Sequence, residues 1–428
     1  MCIRFFRAAI LVGALLASFG TDFLPAQEKS ASPSPAKPKI RAITAFINLD
    51  ATQYKSQIAD TLQMLRRAKT TFESRGYEVQ TIRIATQPFP EYTKGFTPLH
   101  AVAFFKELDA LSEKENFAPG IGPAMLNTDD PESQADLLAE IIANTKHIRG
   151  SIVIAGDDGI RWRAIGAAAR AIKKLEDSTE KSQGNFNLGA IADVKPLSPF
   201  FTAAYHTGFG HQFAIGLESA NVVAEAFRGS TNINDARKKL TDMLTAEVME
   251  IERQALRIDR ETGWAYVGID LSPAPMKDVS IGAAIENLID QPFGSAGTLT
   301  AAGAITAAIR DIPVKQTGYN GLMLPILEDS RLAQRWSEGR VSLSGLLSYS
   351  AVCGTGLDTV PLPGDITVEQ LDMILADVAT LAVKWKKPLT ARLMPVKGKG
   401  PGQMTEFDDP NLVNAVIQPL GFEGASNP

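Results

Sequence analysis

The chain has 428 residues, of which 45% are hydrophobic and 21% charged, and its formal net charge is −5. This length predicts two or three ordinary domains or one large α/β barrel. Mild acidity spread along the chain argues against a nucleic-acid partner, which would require a clustered basic face. The longest basic run, Arg237 to Lys239, is typical of the solvated face of a helix.

The N-terminal segment has the pattern of an export signal. Arg4 and Arg7 precede an uncharged apolar run at residues 8–19. This run is shorter than the roughly 20 residues of a spanning helix, so residues 1–26 predict a cleaved signal peptide, with an uncleaved anchor as the alternative. Residues 27–39 are rich in Pro and Ser and predict a linker. We therefore expect a periplasmic or secreted protein, with no membrane contact after cleavage, whose single domain covers residues 40–428.

Strand-like and helix-like segments alternate along this domain. Such alternation predicts an α/β fold with strands buried between helical layers. The predicted strands are residues 40–47, 78–84, 151–155, 188–192, 264–271 and 389–395. The predicted helices are residues 57–75, 98–111, 133–144, 159–176, 234–261, 281–288, 298–310 and 367–386. The helix at 234–261 has one apolar stripe and a charged opposite face, so we expect it to coat an outer surface.

Cys353 is the first candidate for chemistry, because the other cysteine, Cys2, lies in the predicted signal. A lone thiol has no partner for an internal disulfide. One hypothesis makes Cys353 a nucleophile whose thiolate is favoured by His206 or Arg392. The alternative is a small buried side chain packed where its loop meets the core. The sequence leaves both interpretations open.

Several acidic residues and two histidines lie in predicted loops. His206 and His211 are able to bind zinc, iron or manganese together with a carboxylate such as Asp270, but no recognised metal-binding signature is present. We therefore assign no metal, and no nucleotide-binding signature identifies a cofactor.

Three further carboxylates need explanation. For Glu328 and Asp329 the structural alternative to a ligand role is an N-terminal cap on a helix that begins near Arg331. Asp358 lies in an otherwise apolar stretch, and a buried carboxylate requires partners. Asp358 is therefore the carboxylate most strongly predicted to have a function.

Blocks spread along the chain resemble an uncharacterised family, domain of unknown function 711. The main blocks are residues 268–275 (GIDLSPAP), 297–309, 321–329 (GLMLPILED), 353–365 and 390–398 (TARLMPVKG). Members of that family resemble pyruvate formate-lyase in fold. The resemblance therefore implies an α/β barrel with outer helices around a loop that enters its centre, and it assigns no reaction.

The resemblance raises glycyl-radical chemistry as a less favoured alternative, with Cys353 as a thiyl radical. Such enzymes carry a Gly-Tyr radical loop near the C-terminus. The Gly-Tyr pairs here, Gly76-Tyr77 and Gly318-Tyr319, lack the preceding pattern. Radical activation also takes place in an anaerobic cytosol, which an exported protein leaves, so polar chemistry is favoured.

The sequence thus predicts an enzyme that acts on a small polar or anionic metabolite. The predicted catalytic residues are Cys353, His206 and Asp358, with His206 as a general base. The predicted substrate-binding residues are Arg392, as anchor for a carboxylate, together with Asp270, Glu328, Asp329 and Tyr319. The alternative is a binding or sensing protein that uses the same cavity without turnover, and the oligomeric state is left open.

A barrel also makes a geometric prediction. Loops on one side of a barrel meet at a common cavity. We expect residues 205–208, 270–275, 318–328 and 353–358 to converge with Arg392 on one interior cavity, with Cys353 in a loop that points inward.

Overall fold

The computed structural model describes residues 36 to 421. The predicted signal peptide and most of the predicted linker lie outside these residues. The described residues belong to one compact unit of mixed α/β structure, as the alternation of segments predicted. Between residues 36 and 421, no helix is both long enough and apolar enough to cross a bilayer.

Ten strands form one mostly parallel sheet within the described residues. They are β1 (Lys39–Ile47), β2 (Val79–Thr86), β3 (Ala118–Ala124), β4 (Arg149–Gly156), β5 (Gly159–Ile160), β6 (Leu188–Ala192), β7 (Gln212–Glu218), β8 (Ala265–Asp270), β9 (Gly356–Pro363) and β10 (Leu389–Val396). Their order is β8-β7-β1-β2-β3-β4-β6-β10-β9, and β5 pairs with β4 alone. Strands β1, β2, β3, β4 and β6 form a parallel block. Strands β7 and β10 flank this block antiparallel to it, so the edge strands β8 and β9 run in the same direction.

Helices surround the sheet, and all eight helices predicted from the sequence are present with ends shifted by about a turn or less. The α-helices of the described residues are α1 (Tyr54–Glu73), α2 (Phe89–Tyr92), α3 (Pro98–Glu115), α4 (Ser133–Ala143), α5 (Trp162–Ser178), α6 (Ala220–Phe227), α7 (Ile233–Thr262), α8 (Ile281–Ile289), α9 (Thr298–Arg310), α10 (Ser330–Ser337), α11 (Leu343–Ser350) and α12 (Val368–Trp385). The segment predicted as one helix at 159–176 begins with the short strand β5 before α5 starts.

Helix α7 shows how local sequence fixes an element. Leu240, Leu244 and Val248 recur four residues apart and are fully buried, so one face packs on the core. The side chain of Asn232 accepts a hydrogen bond from a backbone amide of the first turn. Gly263 ends the helix in the left-handed conformation, with φ 74°.

Strands β3 and β9 are absent from the sequence prediction because proline and glycine disguise them. Strand β9 ends in Pro361-Leu362-Pro363 and lies at the edge of the ordered strands, where a missing N–H is tolerated. Strand β3 is central and contains Pro119 and Pro123, but its pairing with β4 shifts register between Gly120 and Pro123. An irregular pairing of this kind accommodates proline inside a sheet.

The loop between β6 and β7 packs against the sheet. Three consecutive side chains, Phe200, Phe201 and Thr202, lie against glycines of β7, β3 and β6 respectively. A Cβ atom on Gly120 of β3 would lie 2.9 Å from the Phe201 ring. Glycine is therefore required in these strands so that the loop can approach the backbone.

A second loop, residues 316–327, contacts both edge strands. Thr317 donates its backbone N–H to the Ile269 carbonyl of β8 at 3.1 Å. Ile326 donates its backbone N–H to the Asp358 carbonyl of β9 at 3.0 Å. This loop therefore lies beside β8 at one end and beside β9 at the other.

Candidate functional site

A cavity of about 340 Å³ is lined by residues of several strands of the sheet. Four arginines from four different strands line it: Arg41 of β1, Arg83 of β2, Arg149 of β4 and Arg392 of β10. Liquid water occupies about 30 Å³ per molecule, so the cavity has the volume of about ten waters. This volume suits a small molecule.

The sheet register creates the space between two of these arginines. Ala118 of β3 pairs with Arg83, and Gly120 of β3 pairs with Arg149. Since neighbouring strands lie about 4.8 Å apart, the backbones of β2 and β4 are separated by about 10 Å. The small residues of β3 make room on that strand for the Phe201 ring, which lies against Gly120 and 4.9 Å from the Arg83 guanidinium. The cavity lies near the amino ends of these parallel strands, whereas ligands of open α/β sheets usually bind at the carboxyl ends.

The other two arginines belong to a buried ion-pair network. Arg392 donates from Nε to Asp358 at 2.5 Å and from Nη2 to Glu328. Arg41 contacts the second oxygen of Glu328 at 3.4 Å and also Glu218 at 3.2 Å. Glu328 therefore bridges two arginines. All five side chains are at most 14% exposed, so the network is shielded from solvent.

Burial and pairing set the protonation of this network. Burial raises the pKa of Asp358, and the adjacent Arg392 opposes that rise. Burial also acts to lower the pKa of Arg392, but Asp358 and Glu328 outweigh it and the pKa is raised. Burial raises the pKa of Tyr319, whose hydroxyl bonds to Thr390 Oγ1. Tyr319 is therefore a neutral hydroxyl at the cavity wall, and Arg392 stays charged.

Arg83 and Arg149 have no carboxylate within 4.0 Å among residues 36–421. Arg83 Nε donates to Thr81 Oγ1 at 3.0 Å, and its guanidinium lies 4.9 Å from the centre of the Phe201 ring. Arg149 donates to the His147 carbonyl at 3.4 Å. Burial lowers the pKa of Arg83, and Arg41 and Arg149 act in the same direction. The cavity therefore contains cationic donors that these neighbours do not neutralise.

Four of the five segments predicted to converge do contribute to the cavity lining. Asp358, Arg392, Glu328 and Tyr319 all line it, and the segment 270–275 supplies its two final residues. Residues 205–208 do not line it. The structure thus brings together four of the eight residues that the sequence predicted.

Asp270 lies behind the cavity wall and shapes it. Its carboxylate accepts hydrogen bonds from the Tyr319 N–H at 2.7 Å, from the Asn320 N–H at 3.1 Å and from Ser272. Burial raises the pKa of Asp270, and these donors oppose the rise. Asp270 does not line the cavity, because its oxygens hold the turn that carries Tyr319, and a substrate contact of Asp270 stays a prediction.

Asp329 has a similar structural position. It accepts from the Arg331 and Leu332 amides at the start of α10, which confirms the helix cap proposed as its alternative. It also accepts from the Ile281 amide at the start of α8. Asp329 therefore joins two helix N-termini and does not line the cavity.

Cys353 is fully buried in the large apolar cluster between sheet and helices, and it does not line the cavity. Its N–H donates to the Tyr349 carbonyl at 2.8 Å. Its carbonyl accepts from Lys387 Nζ, which also donates to the Ser350 carbonyl at 2.8 Å. These surroundings are those of the packed alternative, and a catalytic role stays a prediction.

His206 is also fully buried and outside the cavity lining. Its Nε2 bonds to Gln212 Oε1 at 2.7 Å, and burial lowers its pKa although Gln212 opposes the shift. His211 stacks on Trp264 with ring centres 4.8 Å apart. In the described part of the chain, no cluster of three or more His, Cys, Asp or Glu side chains is placed to hold a metal ion.

The sequence reasoning missed three of the four arginines. A signal was present, because Arg41, Arg83 and Arg149 each stand beside isoleucine at the start of, or within, an apolar strand. A charged residue in a strand buried on both faces requires a partner or a ligand. Phe200 and Phe201 were also missed, since their loop has no strand or helix periodicity.

The chain belongs to the family described as Uncharacterised ACR (DUF711), whose model matches residues 34–411. The resemblance found in the sequence blocks is thereby confirmed.

Curated relatives are similar over much of the chain. A UPF0210 protein of Pyrobaculum islandicum is 28% identical over 402 residues, which cover 86% of this chain and 87% of that protein. A UPF0210 protein of Syntrophobacter fumaroxidans is 28% identical over 355 residues, covering 78% and 77%. A UPF0210 protein of Oenococcus oeni is 26% identical over 290 residues, covering 64% and 63%.

Proposed function

We propose that this protein is an enzyme that acts on a small anionic metabolite by polar, non-radical chemistry in the arginine-lined cavity. The observation that carries the proposal is the convergence of four arginines from four strands around Glu328 and Asp358. Guanidinium groups bind carboxylate and phosphate through paired hydrogen bonds and keep their charge when buried. An anion is therefore the ligand that this lining favours.

Asp358 is the group best suited to exchange a proton with such a ligand. Its pKa is raised by burial, and Arg392 at 2.5 Å stabilises its ionised form. A carboxyl group balanced in this way acts as a general acid or base. The neutral hydroxyl of Tyr319 supplies a further hydrogen-bond donor at the wall. Cys353, predicted as nucleophile, would have to become accessible to take part.

The second candidate function is a binding or sensing protein without turnover. It is favoured by the pairing of Arg392 with both Glu328 and Asp358, which leaves these carboxylates already engaged. A network in which the charged groups are paired with one another is rigid. A rigid surface of this kind is suited to ligand binding without turnover as well as to catalysis. An enzyme converts the bound anion into a product of different mass or structure, whereas a binding protein leaves the anion unchanged.

Incubation of the purified full chain with an anionic metabolite fraction, followed by mass spectrometry, tests the proposal. We expect one anion to be converted by the wild type. Conversion should fall by about a hundredfold or more in Asp358→Asn and stay unchanged in Asp377→Asn, an exposed position on α12. Retention of an anion without conversion favours the binding protein. An absence of both retention and conversion contradicts both candidates.

We also propose that the sheet closes into a pyruvate formate-lyase-like barrel. Support comes from residues 316–327, which hydrogen-bond to β8 and to β9, and from the common direction of those two edge strands. The parallel block described above consists of β1, β2, β3, β4 and β6. In the proposed barrel, this segment and strands β7, β8, β9 and β10 make a second block of five members opposite it. Hydrogen exchange tests the closure, since the amides of Thr317 and Ile326 should be protected as strongly as those of β8. Rapid exchange at both amides contradicts a closed barrel.

The proposed location is the periplasm or the exterior of the cell. It rests on Arg4, Arg7 and the apolar run that follows them. Mass spectrometry of the exported protein should find a mature N-terminus at or near Gln27. An intact Met1 in a membrane fraction contradicts this location.

A further inference from the structure

The four cavity arginines fall into two chemically different pairs. Arg41 and Arg392 each contact carboxylates within 4.0 Å. Arg83 and Arg149 contact none within that distance among the residues that the structure describes. Asp409 and Glu328 act on Arg149, and Glu328 acts on Arg83, only from beyond ion-pair range. The free donors of the cavity are therefore concentrated at the second pair.

A buried cation without a carboxylate in ion-pair contact is expensive for a folded protein. Arg83 is 8% exposed, and the positive charges of Arg41 and Arg149 lie near it. Removal of a guanidinium from water costs several kcal/mol unless hydrogen bonds and opposite charge replace the lost hydration. Thr81 and the Phe201 ring replace only part of it. The remaining donors are suited to an anion that arrives from outside.

Thr355 provides an independent observation that a ligand is expected at this cavity. Thr355 is one of the residues that line the cavity, and it is only 4% exposed. Its Oγ1 is buried and has no hydrogen-bond partner among the described residues. Buried hydroxyls are normally hydrogen-bonded. The hydroxyl of Thr355 is thus a polar group placed at the cavity without a protein partner.

Part of the wall is apolar, which limits the kind of anion that fits. Phe200, Phe201, Met323 and Pro275 face the cavity. Apolar side chains of this kind bind carbon-containing surface and do not solvate a small inorganic ion. The ligand therefore has an apolar body as well as a charged group.

We propose that Arg83 and Arg149 form the anion subsite of the cavity, which binds the carboxylate or phosphate group of a small organic acid. The apolar body of that acid packs against Phe200 and Phe201, and Thr355 Oγ1 supplies a hydrogen bond. This inference rests on the proposed function and assigns the anchor to Arg83 and Arg149 in addition to Arg392, the anchor predicted from the sequence, whose Nε and Nη2 are engaged by Asp358 and Glu328.

Calorimetric titration of the purified full chain with benzoate, phenyl phosphate and inorganic phosphate tests the subsite. We expect saturable binding of benzoate or phenyl phosphate, and the tighter of the two identifies the anionic group. Inorganic phosphate should bind more weakly, since it has no apolar body. Arg83→Gln and Arg149→Gln should each weaken binding at least tenfold, because each removes charge-assisted hydrogen bonds. Thr355→Val should have a smaller effect, and Arg170→Gln, at an exposed surface ion pair, should have none.

Stability measurements separate a ligand-binding role from a structural one. A residue whose purpose is to bind an absent anion destabilises the empty protein. Urea unfolding without ligand should therefore show a higher midpoint for Arg83→Met than for the wild type. A lower midpoint would mean that Arg83 is held by protein contacts and would count against the subsite.

Two other results overturn the inference: failure of all three anions to bind the wild type, or undiminished binding by both Arg83→Gln and Arg149→Gln. Inorganic phosphate as the tightest of the three overturns the organic-acid class. Binding that depends on Arg83 and Arg149, without conversion of any metabolite, supports the inference and removes the enzyme proposal. Conversion with an unchanged KM in Arg83→Gln overturns the inference and leaves the enzyme proposal intact.

Discussion

Two buried cationic regions lie close together in the C-terminal part of the sequence, and they are built differently. Lys387 directs its ammonium group to the backbone carbonyls of Ser350 and Cys353, so its partners are neutral dipoles. Arg392 instead pairs with the carboxylates of Glu328 and Asp358. Lys387 lies in the packed layer between sheet and helices, whereas Arg392 lines the cavity.

The difference shows that the surroundings of a buried cationic side chain determine its role more than its residue type does. A lone cysteine attracts attention in a sequence, but Cys353 is packed with apolar neighbours and its carbonyl holds Lys387. Arginine in a strand attracts less attention, but the four strand arginines converge on one cavity, and some of their N–H groups have no carboxylate partner among the described residues. Each of the following measurements tests whether the first region is structural and the second is built for a ligand.

The largest expected effect is on the reactivity of the Cys353 thiol. Because the residue is fully buried, iodoacetamide reaches the thiol only when the structure opens. An opening free energy of about 3 kcal/mol or more slows labelling by about a hundredfold or more relative to the urea-unfolded chain. Peptide mass mapping measures Cys353 separately from Cys2. Labelling of the native chain faster than a model thiol would contradict the packed interpretation and support the nucleophile.

Loss of Arg392 should have the largest effect on stability. In Arg392→Ala, Glu328 keeps only Arg41 and Asp358 keeps no cationic partner among its described neighbours. Removal of one member of a buried ion pair costs about 3–5 kcal/mol of unfolding free energy. Urea unfolding measures this cost. Arg170→Ala, at an exposed pair with Glu132, should cost at most about 1 kcal/mol. Equal losses in the two variants would contradict a shielded network.

Replacement of Lys387 should cost less than replacement of Arg392. Lys387→Met keeps the length of the side chain and removes hydrogen bonds to carbonyls, an expected loss of about 1–3 kcal/mol. Burial lowers the pKa of Lys387, so the variant also escapes the cost of a desolvated charge. Lys384→Met, at an exposed position of α12, is the matched control and should be near neutral. A loss larger than that of Arg392→Ala would reverse the comparison.

Sequence reasoning recovered the fold better than the site. The α/β class and the main helices follow from periodicity, because apolar stripes such as that of α7 are a local property. Strands β3 and β9 were not predicted because they contain prolines. Whether a strand accommodates proline depends on its register and on whether it lies at an edge of the sheet. Asp358 was found because a charge in an apolar stretch requires a partner, and Arg392 was named as an anchor for a substrate carboxylate. The neighbours of Cys353 and His206 were not predictable, because burial depends on contacts far apart in the sequence.

Replacement of His206 should have the smallest effect on the free energy of unfolding. The sign of that effect follows from the surroundings of the side chain. Burial lowers its pKa below the usual 6.5, so the folded protein favours the neutral ring. Its contribution to stability is therefore complete above about pH 6.5 and is lost as the pH falls through the lowered folded pKa, by at most about 1.4 kcal/mol per pH unit. In His206→Gln, urea unfolding between pH 7.5 and about pH 5 should show a shallower loss of stability than the wild type. His100→Gln, at an exposed position, should keep the wild-type slope. A steeper slope in His206→Gln would mean that the folded protein favours charged His206 and would contradict the lowered pKa.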